Sequence, residues 1–282
     1  MQALELPQII VAGAPKSGTS SVYFWLAAHP DIYASPVKET FFFADQVSRF
    51  NRQANVIDHD LSTYASYFKG RKPGQLCMEA TAAYIYQHNA LKHIPALPGP
   101  PKVIFLLREP GARLYSQYRF ERHRTKRITT SWASYASDPQ LLSHGRYAIY
   151  LKPWIDALGE EHVHVDTFEN LVSNPADAMA SMANFLGLDG AFYQHYDFVQ
   201  HNATVAIKSK MLHRLGLQLQ RFIPHGVQEA LLPLYLRFNA GRMPEKNHEE
   251  LELLSQVKAA YTEDVQALQT LLPQLDLSSW VS

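Results

Sequence analysis

A glycine-rich turn between an apolar strand and a helix is the feature that most constrains the fold of this 282-residue chain. Ile9, Ile10 and Val11 lead into the segment GAPKSGTS, which runs from Gly13 to Ser20, and apolar residues at helical spacing follow it. A strand that ends in such a turn and opens a helix directs several backbone N–H groups at one point, where the helix dipole adds positive potential. The segment therefore predicts an anion-binding loop at the start of an α/β fold.

The lysine of this loop stands at an unusual position. The nucleoside-triphosphate pattern G-x-x-x-x-G-K-[ST] has its lysine directly after the second glycine. Here Thr19 occupies that position, Ser20 keeps the Ser/Thr position, and Lys16 lies two residues before Gly18. A lysine in the middle of the loop favours a smaller anion with one bridging oxygen to stabilise. The alternative interpretation is a strand–helix turn that binds nothing.

Short apolar runs alternate with helical segments along the chain, which is typical of an α/β protein with a mainly parallel sheet. The predicted strands are residues 8–13, 76–79, 102–107 and 162–167, with a shorter one near 31–34. The predicted helices are residues 19–28, 61–68, 111–123, 145–158 and 176–186, followed by a helical region that is clearest at 249–271. We expect one domain over residues 1–282. Its core, at about 7–190, is a mainly parallel sheet flanked by helices with a P-loop-like first strand–turn–helix, and a helical cap covers about 200–282.

Composition narrows the expected partners and compartment. Lysine plus arginine and aspartate plus glutamate number 26 each, so no basic field indicates a nucleic-acid partner. The single cysteine, Cys77, excludes an internal disulfide framework and favours a reducing compartment. The sequence shows no signal-peptide pattern and no apolar run of the roughly 18 residues that a membrane span needs. We therefore expect a soluble cytoplasmic protein.

A second candidate anion site follows the strand predicted at residues 102–107. Arg108 comes directly after this strand, and Ser116 lies eight residues further on in the next helix. Parallel sheets bind ligands at the carboxyl ends of their strands, and the planar guanidinium group of arginine suits phosphate oxygens. The alternative is that Arg108 forms a surface ion pair with Glu109 or Glu121.

The segments APKSGTSS and LLREPGARLYSQY together resemble the PAPS-dependent sulfotransferase family, closer to its carbohydrate and bacterial branch. The donor of this family is 3′-phosphoadenosine 5′-phosphosulfate (PAPS). The resemblance extends over most of residues 7–190, through VKETFFF, MEATAAYIY and VDTFENLVSNPADAMASMANFLGL. It implies a site for the 5′-phosphosulfate at Lys16, Ser17, Gly18, Thr19 and Ser20. It also implies a site for the 3′-phosphate at Arg108 and Ser116. Lys16 would then lie at the bridging oxygen, where charge grows as the bond breaks.

Sulfuryl transfer to an alcohol requires a group that accepts the hydroxyl proton. The resemblance implies that Glu39, in PVKETFFF, is this base, because it matches the glutamate base of the carbohydrate branch. The alternative is a solvated Lys38–Glu39 charge pair. His123, seven residues after Ser116 on the same predicted helix face, is the second candidate base.

Other positions extend this site. Glu79 ends a predicted strand and is a candidate for orienting or assisting the reaction. Ala80 follows it where the carbohydrate branch often has lysine, which argues against a second lysine at the sulfuryl group and against a carbohydrate acceptor. The segment RFNAGRMPEKN resembles the late glycine-arginine segment of the family and implies that Arg242 contacts the 3′-phosphate. Lys208 and Lys210 are candidates for closing over the site.

The resulting hypothesis is a sulfotransferase that moves a sulfuryl group from PAPS to a hydroxyl and releases adenosine 3′,5′-bisphosphate (PAP). The expected acceptor is a small molecule, a lipid or a carrier-bound chain. The basic run around His123 suits the acidic surface of an acyl carrier protein. No metal is expected, because His162 and His164 lack further residues at ligand spacing. Two alternatives stay open: a P-loop kinase or NTPase with a displaced lysine, and a non-catalytic nucleotide-binding interaction protein.

Overall fold

The computed structural model describes residues 4–199, 206–207, 240–241 and 243–281. Its central element is a five-stranded parallel sheet in the order β2-β3-β1-β4-β5. The strands are β1 (Ile9–Gly13), β2 (Ile32–Ala34), β3 (Leu76–Ala80), β4 (Lys102–Leu107) and β5 (Val163–Thr167). A two-stranded antiparallel pair, β6 (Ala206–Ile207) and β7 (Ala240–Gly241), lies apart from this sheet. The α/β prediction is therefore confirmed.

Helices flank the sheet on both faces. The described α-helices are α1 (Thr19–Ala27), α2 (Leu61–Ala65), α3 (His88–His93), α4 (Pro110–Arg119), α5 (Trp132–Ala136), α6 (Pro139–Ser143), α7 (Tyr147–Leu158), α8 (Phe168–Ser173), α9 (Pro175–Leu186), α10 (His248–Ala259) and α11 (Thr262–Leu271). Among these residues, no helix is long and apolar enough to cross a membrane.

The central strand β1 is buried along its whole length, as expected for a parallel strand covered on both sides. Ile9 and Val11 belong to the apolar core that includes α1 and α9, whereas Ile10 and Ala12 belong to the core that includes α7 and α11. This period-two division of one strand between two cores fixes the register of the sheet.

The strand order reverses at β1. The chain passes from β1 to β2 and β3 on one side, and then to β4 and β5 on the other. In open α/β sheets, ligands bind outside the carboxyl ends of the strands at such a switch point. The strands β1 and β4 are neighbours, so the loop after β1 and the residues after β4 begin side by side at this switch point. The topology therefore brings the two predicted anion sites to the same edge of the sheet.

Several predicted boundaries were wrong by a few residues. The helix predicted at 111–123 begins at Pro110, because the Glu109 carboxylate caps it by accepting hydrogen bonds from Gly111 N (2.7 Å) and Ala112 N (2.8 Å). It ends at Arg119 and continues as a π-helical turn, Phe120–Arg124. The strand predicted from 162 begins at Val163, since His162 belongs to a 3₁₀ turn.

The amphipathic segment predicted at 249–271 is two helices rather than one. The chain turns between α10 and α11 at Tyr261, whose hydroxyl donates to Leu142 O at 2.7 Å. The helix α10 packs on α4 and α5, and α11 packs on α7. The boundaries proposed for a core and a cap stay a prediction.

Candidate active site

The loop between β1 and α1 packs tightly against the neighbouring elements. Ala14 N donates to Leu106 O on β4 at 2.7 Å. Gly18 has a φ of +92°, and a Cβ at this position would lie 3.0 Å from the Phe168 ring. Only glycine therefore fits here without strain and displacement. Lys16 also adopts a left-handed conformation, with a φ of +72°.

The amino terminus of α1 offers unpaired donors. Gly18 is its N-cap residue, and no side chain in the described part of the chain caps it. Ser17 is fully buried, and its Oγ has no hydrogen-bond partner among the described residues. Thr19 is buried and Ser20 half-buried at the start of the helix. Free backbone N–H groups, a buried unpaired hydroxyl and the positive end of a helix dipole make an anion site.

Lys16 is the cation of this site. Its Nζ lies 3.9 Å from the centre of the Phe120 ring. Burial, together with the positive charges of Arg124 and Arg108, lowers the pKa of Lys16 to about 8, whereas Glu39 and Glu121 oppose the shift. Lys16 thus lies within electrostatic reach of two further cations and two carboxylates. A bound anion would relieve the repulsion between the cations.

Arg108 projects from the carboxyl end of β4 toward the same loop. Its Nη1 donates to Lys16 O at 3.3 Å, and its guanidinium group lies 4.5 Å from the centre of the Phe168 ring. Tyr147 OH donates to Arg108 O at 2.8 Å. Burial lowers the pKa of Arg108. The hydrogen bond from Tyr147 thus anchors the backbone of Arg108, and one face of its guanidinium group is stacked on the ring of Phe168.

The predicted ion pairs of Arg108 are not seen among the described residues. Glu109 instead caps α4 and lies 3.2 Å from Lys258 Nζ. Gln117 Nε2 donates to the carboxylate of Glu121. Arg108 therefore has no carboxylate within ion-pair distance in the part of the chain that the structure describes, although the negative charges of Glu169 and Glu109 act on it. Its guanidinium group is available to a ligand.

The remaining predicted donor contacts lie further along the chain. Ser116 is half-buried on α4, the helix that begins two residues after Arg108. Arg242, Lys208 and Lys210 lie outside the described residues.

Glu39 lies at the same edge of the sheet. Its backbone N donates to Ala80 O at the carboxyl end of β3 at 2.9 Å, and its φ is +62°. Its Oε1 lies 3.8 Å from Lys38 Nζ, with 37% of the glutamate side chain and 20% of the lysine side chain exposed. Burial lowers the pKa of Lys38, while Glu39 and Glu79 oppose that shift. The pair is thus half-buried rather than a fully solvated surface pair.

His123 faces a different part of the molecule. It lines a cavity of about 400 Å³ together with Arg119, Arg122 and Glu250 of α10. Burial lowers the pKa of His123, and the positive charge of Arg119 adds to this shift. Phe120 and Arg124 of the same π-helical turn face Lys16 instead. The structure therefore brings Lys16, Arg108 and Glu39 together and leaves His123 on the side of α10.

Sequence reasoning missed four residues that surround the three charged groups. Phe120 and Phe168 place aromatic rings against Lys16 and Arg108, Arg124 adds a third cation, and Lys38 adds a cation beside Glu39. From the sequence, Lys38 appeared only in the alternative of a solvated charge pair with Glu39, and Arg124 appeared only as part of the basic run around His123. The only available signal was that Phe120 and Arg124 extend the helix that carries Ser116.

Asp166 on β5 is a carboxylate that a nucleotide-hydrolysing interpretation could use for magnesium. Its Oδ1 accepts hydrogen bonds from Thr167 N (2.7 Å) and Asn170 Nδ2 (3.0 Å). These bonds tie the carboxylate to the start of α8. The kinase or NTPase alternative therefore gains no support from this residue.

Comparison with known proteins identifies a family and several relatives of this chain. The family model described as sulfotransferase domain matches residues 6–227. Heparan sulfate glucosamine 3-O-sulfotransferase 3B1 of Mus musculus is 27% identical over 259 residues, which cover 83% of this chain and 62% of that protein. Bifunctional heparan sulfate N-deacetylase/N-sulfotransferase 4 of Mus musculus is 27% identical over 210 residues, which cover 68% of this chain and 23% of that protein. The chain thus spans less than two thirds of these curated relatives.

Two solved structures share the fold. A sulfotransferase from Alicyclobacillus acidocaldarius aligns with a TM-score of 0.70 and 23% identity, covering 98% of this chain and 99% of that chain. The sulfotransferase domain from the curacin biosynthetic pathway aligns with a TM-score of 0.51 and 18% identity, covering 71% of this chain and 82% of that chain. At these identities, the likeness concerns the fold alone.

Proposed function

The chain belongs to the sulfotransferase domain family, and from this premise we propose that it transfers a sulfuryl group from PAPS to the hydroxyl of an acceptor. The observation that carries the proposal is the approach of Lys16, Arg108 and Glu39 at one edge of the sheet. Each group has a separate task in this reaction. A cation is needed at the leaving oxygen, a second cation at the donor's remote phosphate, and a base at the acceptor.

Charge develops on the oxygen that bridges phosphorus and sulfur as its bond to sulfur breaks. In the proposal, backbone N–H groups at the start of α1 hold the 5′-phosphosulfate with the hydroxyls of Ser17, Thr19 and Ser20. The ammonium group of Lys16 stabilises the bridging oxygen, which leaves as part of PAP. The acceptor oxygen forms the new bond to sulfur, and its proton passes to the carboxylate of Glu39.

Arg108 and Ser116 select the donor in this account. An arginine without a carboxylate partner among the described residues can pair its guanidinium fork with two phosphate oxygens. We assign this role to the 3′-phosphate, which distinguishes PAPS and PAP from AMP and ATP. Arg242 would complete the same contact.

The acceptor proposed is an apolar alcohol, presented as a small molecule, a lipid or a carrier-bound chain. Phe41 lies two residues after Glu39, and its ring centre is 5.5 Å from that of Phe50. Phe50 is 53% exposed, and Val37, two residues before Glu39, is 42% exposed. An apolar surface beside the proposed base suits an alkyl chain better than a polyanion such as heparan sulfate, the substrate named for the curated relatives.

A transfer assay with sulfur-labelled PAPS tests both parts of this proposal. We expect label transfer in the presence of EDTA to medium-chain primary alcohols, and little transfer to heparan sulfate oligosaccharides. Phe50→Ser should raise KM for the alcohol by about tenfold, because one exposed ring contributes roughly 1–3 kcal/mol to binding an alkyl group. KM for PAPS should stay unchanged. Magnesium-dependent ATP hydrolysis without label transfer would contradict the reaction, and transfer to heparan sulfate alone would contradict the acceptor class.

A further inference from the structure

A buried carboxylate lies beneath the segment that carries Glu39. Glu79, on β3, is fully buried. Its Oε2 accepts hydrogen bonds from Thr40 Oγ1 (2.7 Å) and Thr81 Oγ1 (3.1 Å), and its Oε1 accepts one from Tyr64 OH (3.0 Å). Burial raises the pKa of Glu79, and these hydrogen bonds oppose the shift. A buried carboxyl group is costly unless it is hydrogen-bonded, and these three hydrogen bonds compensate for the burial of Glu79.

The backbone after Glu39 is attached to the same group of hydroxyls. Phe41 N donates to Thr81 Oγ1 (3.3 Å), and Phe42 N donates to Thr40 Oγ1 (3.3 Å). Phe43 N donates to Tyr84 OH at 3.1 Å, and that hydroxyl lies 3.3 Å from Thr40 Oγ1. Three consecutive amides therefore depend on hydroxyl groups that surround one carboxylate.

This segment has a conformation that its residues do not favour. Glu39 and Phe41, on either side of Thr40, have φ values of +62° and +51°. A left-handed conformation costs roughly 1–2 kcal/mol for each such residue and persists only when the surroundings hold it. Glu79 anchors this segment, because it accepts a hydrogen bond from the hydroxyl of Thr40, the residue between the two strained positions.

We propose that Glu79 is a positioning residue for Glu39, which it holds toward the anion-binding loop through the hydroxyl of Thr40. The importance of this hold for turnover rests on the proposed function of Glu39 as the base. The hold itself is a property of the fold and can be measured without any reaction. Glu79 transfers no proton in this account.

A pair of matched variants tests the proposal. Thr40→Val removes the hydroxyl that joins Glu79 to the Glu39 segment, whereas Tyr64→Phe removes a hydroxyl from the other oxygen of the same carboxylate. We expect Thr40→Val to lower kcat by about tenfold to a hundredfold, since small misplacements of a reacting group have effects of this size. KM for PAPS should stay within about twofold in both variants. Tyr64→Phe should keep kcat within about threefold, and Thr40→Ser should restore most of the activity.

Hydrogen exchange provides the readout that needs no turnover. The amides of residues 41–43 should exchange at least about tenfold faster in Thr40→Val than in the wild type or in Tyr64→Phe. If Thr40→Val does not fold, Thr40→Ala removes the same hydroxyl and serves in its place with the same expected results. Equal losses of kcat in both variants, or unchanged exchange at 41–43, would overturn the proposal. If the wild type transfers no sulfuryl group but the variants show the expected exchange at residues 41–43, the proposed function is contradicted. The positioning of the Glu39 segment by Glu79 would then still stand.

Discussion

Lys16→Met is expected to lower kcat for sulfuryl transfer by at least tenfold while making the protein without donor more stable at pH 7. The loss of kcat follows from removing the only cation that the account gives to the leaving oxygen, a contact worth about 10²–10³ in comparable sites. Methionine keeps the unbranched shape of the lysine side chain, whose Nζ lies over the Phe120 ring, and removes the charge. Label transfer and thermal unfolding measure the two effects.

The gain in stability follows from the pKa of Lys16. Burial, with Arg124 and Arg108, lowers this pKa from its ordinary value of 10.5 to about 8. Because the folded-state pKa lies below that of the unfolded chain, keeping the ammonium group in the site costs up to about 3 kcal/mol of folding free energy below pH 8. This cost is lost as the pH rises from 8 to 10.5. The stability difference between Lys16→Met and the wild type should therefore shrink over that interval.

Lys152→Met is the matched control, because Lys152 is exposed and pairs only with Asp156 in the described part of the chain. It should leave kcat unchanged. A Lys16→Met variant that keeps wild-type kcat would show that Lys16 does not act on the leaving group. A variant that is less stable than the wild type at pH 7 would contradict the electrostatic account of the loop.

Glu39→Gln is expected to lower kcat by about 10²–10⁴, the usual range for loss of a general base. Glutamine has nearly the same shape and can accept a hydrogen bond from the acceptor hydroxyl, but it cannot take its proton. Affinity for PAP should change less than about threefold, since Glu39 contacts the acceptor side in this account. Single-turnover label transfer and calorimetry separate these two quantities.

His123→Gln provides the comparison for the second candidate base. His123 lies near Arg119 and Glu250 on the side of α10, so this substitution should leave kcat within about twofold. Full activity in Glu39→Gln combined with loss of activity in His123→Gln would reverse the assignment of the base.

The pairing of the two anion sites could be predicted from the sequence. Parallel strands share the edge at which their carboxyl ends lie, so Lys16 after β1 and Arg108 after β4 had to meet if both strands were central. Continuous apolar runs predicted these strands, because both faces of the sheet are covered.

The surroundings of these residues could not be predicted in the same way. The π-helical turn rests on a bond from Thr125 N to Phe120 O (3.0 Å), for which helix propensity gives no indication. Glu79 meets Thr40 across 39 positions of sequence, and the hydroxyl groups that donate to it come from a loop, from the turn after β3 and from the short helix α2. Contacts of this kind depend on the finished fold, so the sequence indicated Glu79 as a candidate for orienting the reaction, but only the structure shows the hydroxyl groups that it contacts.

Calorimetric binding of PAP, AMP and magnesium-ATP to the wild type, Arg108→Ala and Arg122→Ala tests the central claim most directly. Arg122 belongs to the π-helical turn after α4 and lines the cavity at α10, which makes it the matched control. We predict that the wild type binds PAP with micromolar affinity and binds neither AMP nor magnesium-ATP at this level. Arg108→Ala should weaken the binding of PAP by about tenfold to a hundredfold, as expected for loss of charge-assisted hydrogen bonds. Arg122→Ala should leave it unchanged. Preference for magnesium-ATP, or equal binding of PAP and AMP, would contradict a 3′-phosphate site at Arg108.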